Sequence, residues 1–502
     1  MNGLKKITGK WSGLSVGAKA TLVYFAANMV NKAITYITTP LFTHMLTSEE
    51  YGAVTNFTTW QTIIGIVAMF CFQAGVFNNG MIEYPKDRDG FTLSLLALSN
   101  IITVSVAAVL LISPDTTARL LNIDRNLILL MVLMFLFQPA YSFWYTRQRY
   151  EYHYRSAGVM VVVMHLAGPL VAVLCIARHV TGNPVYDRLF GADLTLIAFY
   201  LFFYIRTVIR GKGRIRTEYW KFAFFFNLPL IPHYLSQHLM SSCDKIMITA
   251  LIGKSQTAYY SVAYTVAAVV SVFWTSLNSS LVPFTYERCK KKDYRAIENT
   301  IEPLWFCFAA VCFLLMIFAP EVMSLLAPEE YRAGMYVIPP VIGGVFFQAL
   351  YYSFANINYY YKRTKYVMYA SLAAAVVNIV LNYLLIPVYG FVVAGYTTLL
   401  SYMIQAAIDY YAMQKVIREN GAEDRCFHLK SILGVSSVVV AVACVFPLCY
   451  SSTVIRFSIL GVMAVAALIF RKTVRRFVRS LSSVIRRRDA GKPVSGDTIE
   501  VK

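Results

Sequence analysis

Residues 239–263 read LMSSCDKIMITALIGKSQTAYYSVA, and the charged pair Asp244-Lys245 inside this apolar run decides how the chain is to be read. On a helix, the pair would sit nine residues, or ~13 Å, before Gly253. In a hydrocarbon core ~30 Å thick that is close to the midplane, where ionisable groups are rare and usually face a cavity or a partner. Residues adjacent in sequence project about 100° apart on a helix, so this acid and base cannot pair well with one another. Each needs another partner: a second helix, the backbone or water. A polar site inside the membrane is the functional reading and interhelical pairing the structural one.

The rest of the chain supplies the membrane protein around that pair. Of 502 residues, 58% are hydrophobic and 14% charged, an apolar share above that of ordinary soluble domains. Fourteen apolar spans, each about long enough to cross a bilayer, fall at roughly 18–42, 52–80, 91–112, 126–146, 157–177, 188–208, 221–252, 256–286, 303–326, 333–360, 366–387, 392–413, 429–449 and 454–472. The first is too long for a signal-peptide core and lacks a cleavage pattern, so it reads as a spanning helix. Net charge is +20, yet its distribution argues against nucleic acid: 37 of the 46 Lys and Arg lie in the N-terminus, the even-numbered loops and the C-terminus. That asymmetry predicts a multi-pass membrane protein with both termini cytoplasmic. The nine cysteines lie mostly within apolar spans without metal-ligand spacing, so no disulfide framework and no metal site is expected.

Both ends carry basic, amphipathic sequence. Leu4, Ile7, Trp11 and Leu14 among Lys5, Lys6 and Lys10 suggest a surface segment. Val474, Phe477, Val478, Leu481, Val484 and Ile485 make an apolar stripe flanked by arginines, an anchor expected to lie on anionic lipid. Residues 489–502 are polar and read as disordered.

An internal repeat organises the spans. Asn31-Lys32 in span 1 is followed by Tyr51-Gly52-Ala53 at the start of span 2, and Asp244-Lys245 in span 7 by Ala258-Tyr259-Tyr260 at the start of span 8. The offset is six spans, an even number, so the halves would share orientation as parallel repeats. The expected architecture is an all-α polytopic membrane fold of about 14 transmembrane helices. It comprises an N-lobe (1–213, six helices), a pseudo-symmetric C-lobe (214–428, six helices), two further helices (429–472) and a basic tail (473–502).

The motifs Pro40-Leu41-Phe42-Thr43 with Glu49-Glu50-Tyr51-Gly52, Asp244-Lys245 with Tyr259-Tyr260-Ser261-Val262-Ala263, and Asn378-Ile379-Val380-Leu381-Asn382 with Ile386-Pro387-Val388-Tyr389-Gly390 resemble the polysaccharide flippases. These belong to the multidrug/oligosaccharidyl-lipid/polysaccharide exporter superfamily. Relatives often carry Asp-Arg at the span 7 pair, so Lys245 keeps the charge and loses bidentate geometry. The resemblance implies a bacterial inner-membrane protein that transfers an undecaprenyl-diphosphate-linked oligosaccharide from the cytoplasmic to the periplasmic leaflet by alternating access, for O-antigen, capsule or exopolysaccharide. It implies no cofactor beyond a coupling H+ or Na+, and partners such as a polysaccharide polymerase and chain-length machinery.

The chemistry of such a cargo asks for cations for the diphosphate and polar groups for the sugars. Lys32 and Lys245 are the cations at depth, one per expected lobe, with Asn28 and Asn31 beside Lys32 and Asp244 beside Lys245. The competing reading is that each lysine pairs with a carboxylate or reaches the interface. Asn378 and Asn382 share a helix face and read as interhelical glue. His165, His233, His238, Asp193 and Asp244 are the candidates for proton coupling. Pro229 with Pro232, and Pro339 with Pro340, would break helices where lobes bend.

Three other functions share parts of this pattern. A multidrug antiporter of the same superfamily would place unpaired acids in its cavity, and a peptidoglycan-precursor flippase would carry a lipid diphosphate as well. A membrane glycosyltransferase or polymerase would need a large outer loop or an acidic catalytic cluster. The acids of the short outer loops, Glu49-Glu50 and Glu329-Glu330, read as solvated turns, and no nucleotide-binding loop occurs, so the chain is not expected to be an enzyme.

Overall fold

The computed structural model describes residues 16–73, 75–151, 153–421 and 426–469. The N-terminal surface segment, the basic tail and its expected anionic-lipid contact lie outside the described residues. Among the described residues the chain is helical throughout, without a strand. The first half comprises α1 (Val16–Met45), α2 (Ser48–Ala68), α3 (Val76–Glu83), α4 (Arg88–Ile112), α5 (Pro114–Leu121), α6 (Arg125–Tyr150), α7 (Tyr154–Arg178) and α8 (Pro184–Gly211). It continues through α9 (Thr217–Asn227) into α10 (Ile231–Ile252), α11 (Lys254–Lys290), α12 (Tyr294–Ile317), α13 (Ala319–Leu326) and α14 (Ile338–Tyr360). The chain closes with α15 (Thr364–Tyr389), α16 (Val393–Glu419), α17 (Leu429–Val445) and α18 (Thr453–Ile469). Among the described residues nine helices are long and apolar enough to cross a membrane: α4, α6, α7, α8, α11, α12, α14, α15 and α17. The other expected spans fall on α1, α2 with α3, α9 with α10, α16 and α18.

Buried apolar side chains gather in separate cores. One runs from Ile248 to Tyr450 through α11, α12, α14 and α16. In the first half one cluster centres on Phe57, Met131 and Phe135, and another on Phe72, Phe77, Phe91 and Phe143. Loops rich in Lys and Arg, such as 209–216 and 288–295, mark one face of the molecule, here termed the basic face.

Two expected spans are broken, and the breaks meet. Span 2 turns between α2 and α3, with Phe70 and Cys71 at positive φ. Its freed carbonyls are capped by side chains: Thr103 Oγ1 donates to Ala68 O at 3.0 Å, and the Asn227 amide donates to Phe70 O. Span 7 breaks at a 3-10 turn, Leu228–Leu230, beside Pro229. Before the break, α9 packs on α3 and α4, with Phe224 stacked on Phe70 at 5.1 Å. After it, α10 packs on α11 and α15 of the second half and on α2. Pro339 and Pro340 do not break a span as the sequence suggests; they sit in the first turn of α14, where a missing N–H costs little.

Span 9 is also shorter than expected, since Phe318 ends α12 and α13 is a separate two-turn helix beyond the crossing. Arg456 ties the start of α18 to this corner, donating to Ile317 O at 3.1 Å and to Glu321 Oε2 at 2.7 Å. The Arg456 hydrogen bond holds the Glu321 carboxyl below its ordinary value of 4.5. With the folded value depressed, the stabilisation is present above the unfolded value and is lost as pH falls through the folded one. Glu321→Gln should therefore lower the detergent-solubilised Tm at neutral pH, the loss of stability being less than ~1 kcal/mol because Glu321 is partly exposed, and the two proteins should converge in acid. Parallel Tm-against-pH curves would remove Glu321 from this role.

Candidate functional site

The halves meet through the ends of α1, α2 and α11 remote from the basic face. Thr47 and Glu50 form a capping box that starts α2, so Glu50 is a helix cap rather than a solvated turn. Ser48 Oγ approaches Glu330 Oε2 at 3.4 Å and Thr43 Oγ1 donates to Leu326 O at 2.8 Å, both between halves. Gly52 lies flat against the start of α11: a Cβ built there would stand 1.9 Å from the carbonyl oxygen of Lys254. The fully buried ring of Tyr331 is gripped edge-on from two sides, by Tyr51 at 6.2 Å and Tyr259 at 5.2 Å. The two repeated small/aromatic clusters thus converge on one ring. Further in, Tyr36 Oη donates to the main-chain carbonyl of Thr265, crossing from α1 to α11.

Below this seal lie the two lysines, one in each half. Lys32 is exposed and lies one helical turn from Tyr36 toward the basic face, on the side of α1 that Tyr36 turns to α11. Lys245 is half-buried, with Nζ 5.4 Å from the centroid of the Tyr264 ring, next to Thr265. Neither lysine has a carboxylate within ion-pair range among the described residues. Asn31 is half-buried beside Lys32. The side chain of Asn28 falls outside the described residues.

Asp244 points elsewhere, as neighbours on a helix must. It is buried in the second half and its carboxylate is saturated: Asn382 Nδ2 donates to Oδ1 at 2.6 Å, and Tyr260 Oη and Thr398 Oγ1 donate to Oδ2 at 2.6 and 2.8 Å. Asn378 completes the cluster by donating to Thr398 Oγ1 at 3.3 Å and accepting from Cys243 Sγ at 3.1 Å. Asp244 therefore faces helices α11, α15 and α16 rather than the open seam. Other buried amides are used the same way, with Asn356 Nδ2 on Asn278 Oδ1 at 2.9 Å and Ser271 Oγ on Gln348 Oε1 at 2.9 Å.

The remaining sequence candidates are scattered. His165 on α7 is bound to its own helix through Nδ1 and Val161 O at 2.7 Å. His238 on α10 is exposed, and the side chain of His233 lies outside the described residues. Asp193 on α8 accepts from Gln61 Nε2 of α2 at 3.2 Å, far in sequence from the Asp244 cluster. Sequence reasoning missed its neighbour Arg188, which interacts electrostatically with Asp193 and stands 3.8 Å over the Phe42 ring. The signal was present: α8 starts at Pro184, so Arg188 lies a turn inside the helix rather than at its boundary.

Comparison with known proteins follows this geometry. The family described as "Polysaccharide biosynthesis protein" matches residues 18–288, and MatE matches residues 229–384. Protein 1 of the Lsg locus of Haemophilus influenzae is 19% identical over 369 residues, 72% of this chain and 89% of that protein. The probable low-salt glycan biosynthesis flippase Agl15 of Haloferax volcanii is 21% identical over 184 residues, 36% of this chain and 39% of that protein. Among solved structures, the lipid II flippase MurJ in an inward closed conformation superposes with a TM-score of 0.67 at 11% identity, covering 91% of this chain and 99% of that one. An inward-facing MATE family multidrug transporter gives 0.58 at 13% identity, over 78% and 96% of the two chains.

Proposed function

The chain belongs to the polysaccharide biosynthesis protein family, the flippase branch of the multidrug/oligosaccharidyl-lipid/polysaccharide exporter superfamily. From that premise we propose that it moves an undecaprenyl-diphosphate-linked oligosaccharide across a bacterial inner membrane. It is a multi-pass membrane transporter rather than an enzyme. The cargo passes from the cytoplasmic to the periplasmic leaflet, both termini are cytoplasmic, and the basic face is the cytoplasmic one. The two halves act as lobes that rock between inward-open and outward-open forms, with the seal through Gly52 and Tyr331 closed in the form described.

The reading rests on Lys32 and Lys245, an exposed and a half-buried cation, one in each half and neither with a carboxylate within ion-pair distance among the described residues, which we take to line the two sides of one seam. A diphosphate is the ligand such a pair suits. Lysine holds phosphate as a compact point charge and can release it again. A cationic drug would be repelled from the same seam, which disfavours the antiporter reading. Asn31 and Asn28 would serve the sugar hydroxyls, and the basic tail would lie on anionic lipid beside the polymerase machinery.

Lys32→Ala and Lys245→Ala should each lower surface glycan about tenfold or more, the size expected for a lost hydrogen bond to a charged group, while Lys→Arg retains most of it. Lipid-linked oligosaccharide should accumulate on the cytoplasmic leaflet. Normal glycan in a well-expressed alanine variant would exclude that lysine, and unchanged glycan with raised sensitivity to cationic drugs on gene deletion would favour the antiporter.

A further inference from the structure

Where α4 begins and α6 and α8 end, the basic face is indented. Two adjoining clefts there share Asp89, Arg147 and Arg210, and the larger has a volume of about 340 Å³. Their walls carry seven Lys or Arg side chains against three carboxylates, Asp87, Asp89 and Glu151. All three acids are already engaged. Arg147 binds Asp89 at 2.5 Å and Glu151 at 2.6 Å, while Asp87 accepts from Tyr219 Oη at 3.0 Å and lies 3.5 Å from Arg216.

Arg206 and Arg210, one turn apart on α8, are left over. Neither lies within ion-pair range of a carboxylate among the described residues. Arg206 is half-buried and within electrostatic reach of the like charges of Arg147 and Arg210. Trp144 on α6 lines the smaller cleft, and its buried Nε1–H has no acceptor among the described residues. Surplus cations gathered in one indentation, with an unused donor beside them, mark a place for an anion.

The surroundings say what kind of anion. Phe202, Ile205 and Ile209 are exposed and form one stripe of α8, a helix long and apolar enough to cross the membrane. At 100° per residue, Arg206 and Arg210 fall about 40° and 80° round the helix from Phe202, on the side of buried Phe203. The two cations therefore stand between a lipid-facing stripe and the cleft. Arginines that only reach for water at a helix end need no cleft, yet these two share one with Arg147 of a second helix.

We infer that this cleft binds the headgroup of an anionic phospholipid of the adjacent leaflet, its phosphate on Arg206 and Arg210 and its acyl chains along Phe202, Ile205 and Ile209. Guanidinium groups suit phosphate because each can donate two parallel hydrogen bonds. Because cations outnumber acids on the walls, a lipid with two phosphates, cardiolipin, should bind more tightly than phosphatidylglycerol, and zwitterionic phosphatidylethanolamine most weakly. The occupant is bulk phospholipid rather than cargo. The helices α4, α6 and α8 pack on one another, whereas Lys32 and Lys245 stand on α1 and α10, which pack chiefly on α7 and on α2, α11 and α15. The inference goes beyond the transport reading and holds whatever the cargo is.

The test is the Tm of the delipidated full-length protein in detergent, titrated at equal phosphate concentration with cardiolipin, phosphatidylglycerol, phosphatidylethanolamine, undecaprenyl diphosphate and sodium pyrophosphate. Cardiolipin should raise the Tm by roughly 3 °C at saturation, phosphatidylglycerol by less, and phosphatidylethanolamine and pyrophosphate should leave it unchanged. Arg206→Gln combined with Arg210→Gln should need about tenfold more cardiolipin for the same rise. Lys365→Gln combined with Arg418→Gln removes the same charge from exposed positions of the second half and should respond as wild type. Pyrophosphate acting as strongly as lipid would reassign the cleft to a soluble anion, and a response to undecaprenyl diphosphate alone would reassign it to cargo. Either result overturns the inference, as does an equal loss in the two double variants or the absence of any rise with cardiolipin. Arg210 is exposed, so should the first double variant not fold, Arg210→Gln alone should need about threefold more cardiolipin, and an unshifted curve overturns the inference.

Discussion

Gly52→Ala should open the seal between the halves and abolish surface glycan display, although it adds one methyl group. The added Cβ would sit 1.9 Å from the Lys254 carbonyl oxygen and 2.5 Å from its carbon, and both are backbone atoms that cannot rotate away. Ordinary contact requires α2 and α11 to part by roughly 1.5 Å or more, and close-packed interfaces do not absorb such shifts gradually. Thr43, now buried with its hydroxyl on Leu326 O, reports the change. As Thr43→Cys it should resist an impermeant thiol reagent in the parent and react at least tenfold faster beside Gly52→Ala. Wild-type display with Thr43→Cys still protected would show that the approach of Gly52 to Lys254 is dispensable.

Asp244→Ala should unfold or severely destabilise the second half, whereas Lys245→Ala should leave its Tm nearly unchanged. Removing the carboxylate strands the Asn382 amide and the Tyr260 and Thr398 hydroxyls, each buried. Unpaired buried groups cost about 1–3 kcal/mol each, so three of them cost on the order of 3 kcal/mol or more. Lys245 lies over the face of Tyr264 and interacts with Asp244 beyond ion-pair distance, so among the described residues its loss strands no hydrogen-bonded side chain. Thermal unfolding of the two variants in one detergent separates these roles. An Asp244→Ala protein as stable as wild type but inactive in export would move Asp244 from scaffold to cargo site.

How much of this was legible in the sequence depended on whether a feature is one-dimensional. Apolar length is such a feature, so the long crossings α4, α6, α7 and α8 follow from hydropathy alone. The divergence of Asp244 and Lys245 follows from helical geometry, and Pro229 announced the break at Leu228–Leu230. Other features arise only on packing. The donors that saturate Asp244 come from three helices up to 154 residues away, so nothing local distinguishes a saturated carboxylate from a lining one. Arg188 was hidden because the expected span begins at residue 188 while α8 starts at Pro184, a turn earlier.

The broken helix of α9, Leu228–Leu230 and α10 has a kinetic corollary. One arm is fastened to the aromatic core of the first half and the other to α11 and α15 of the second, with a three-residue turn between them. Two surfaces joined so closely meet at an effective concentration of millimolar or above, so parting and rejoining are unimolecular events without a diffusional search. The switching rate should then be indifferent to protein concentration and sensitive to the stiffness of that short connector.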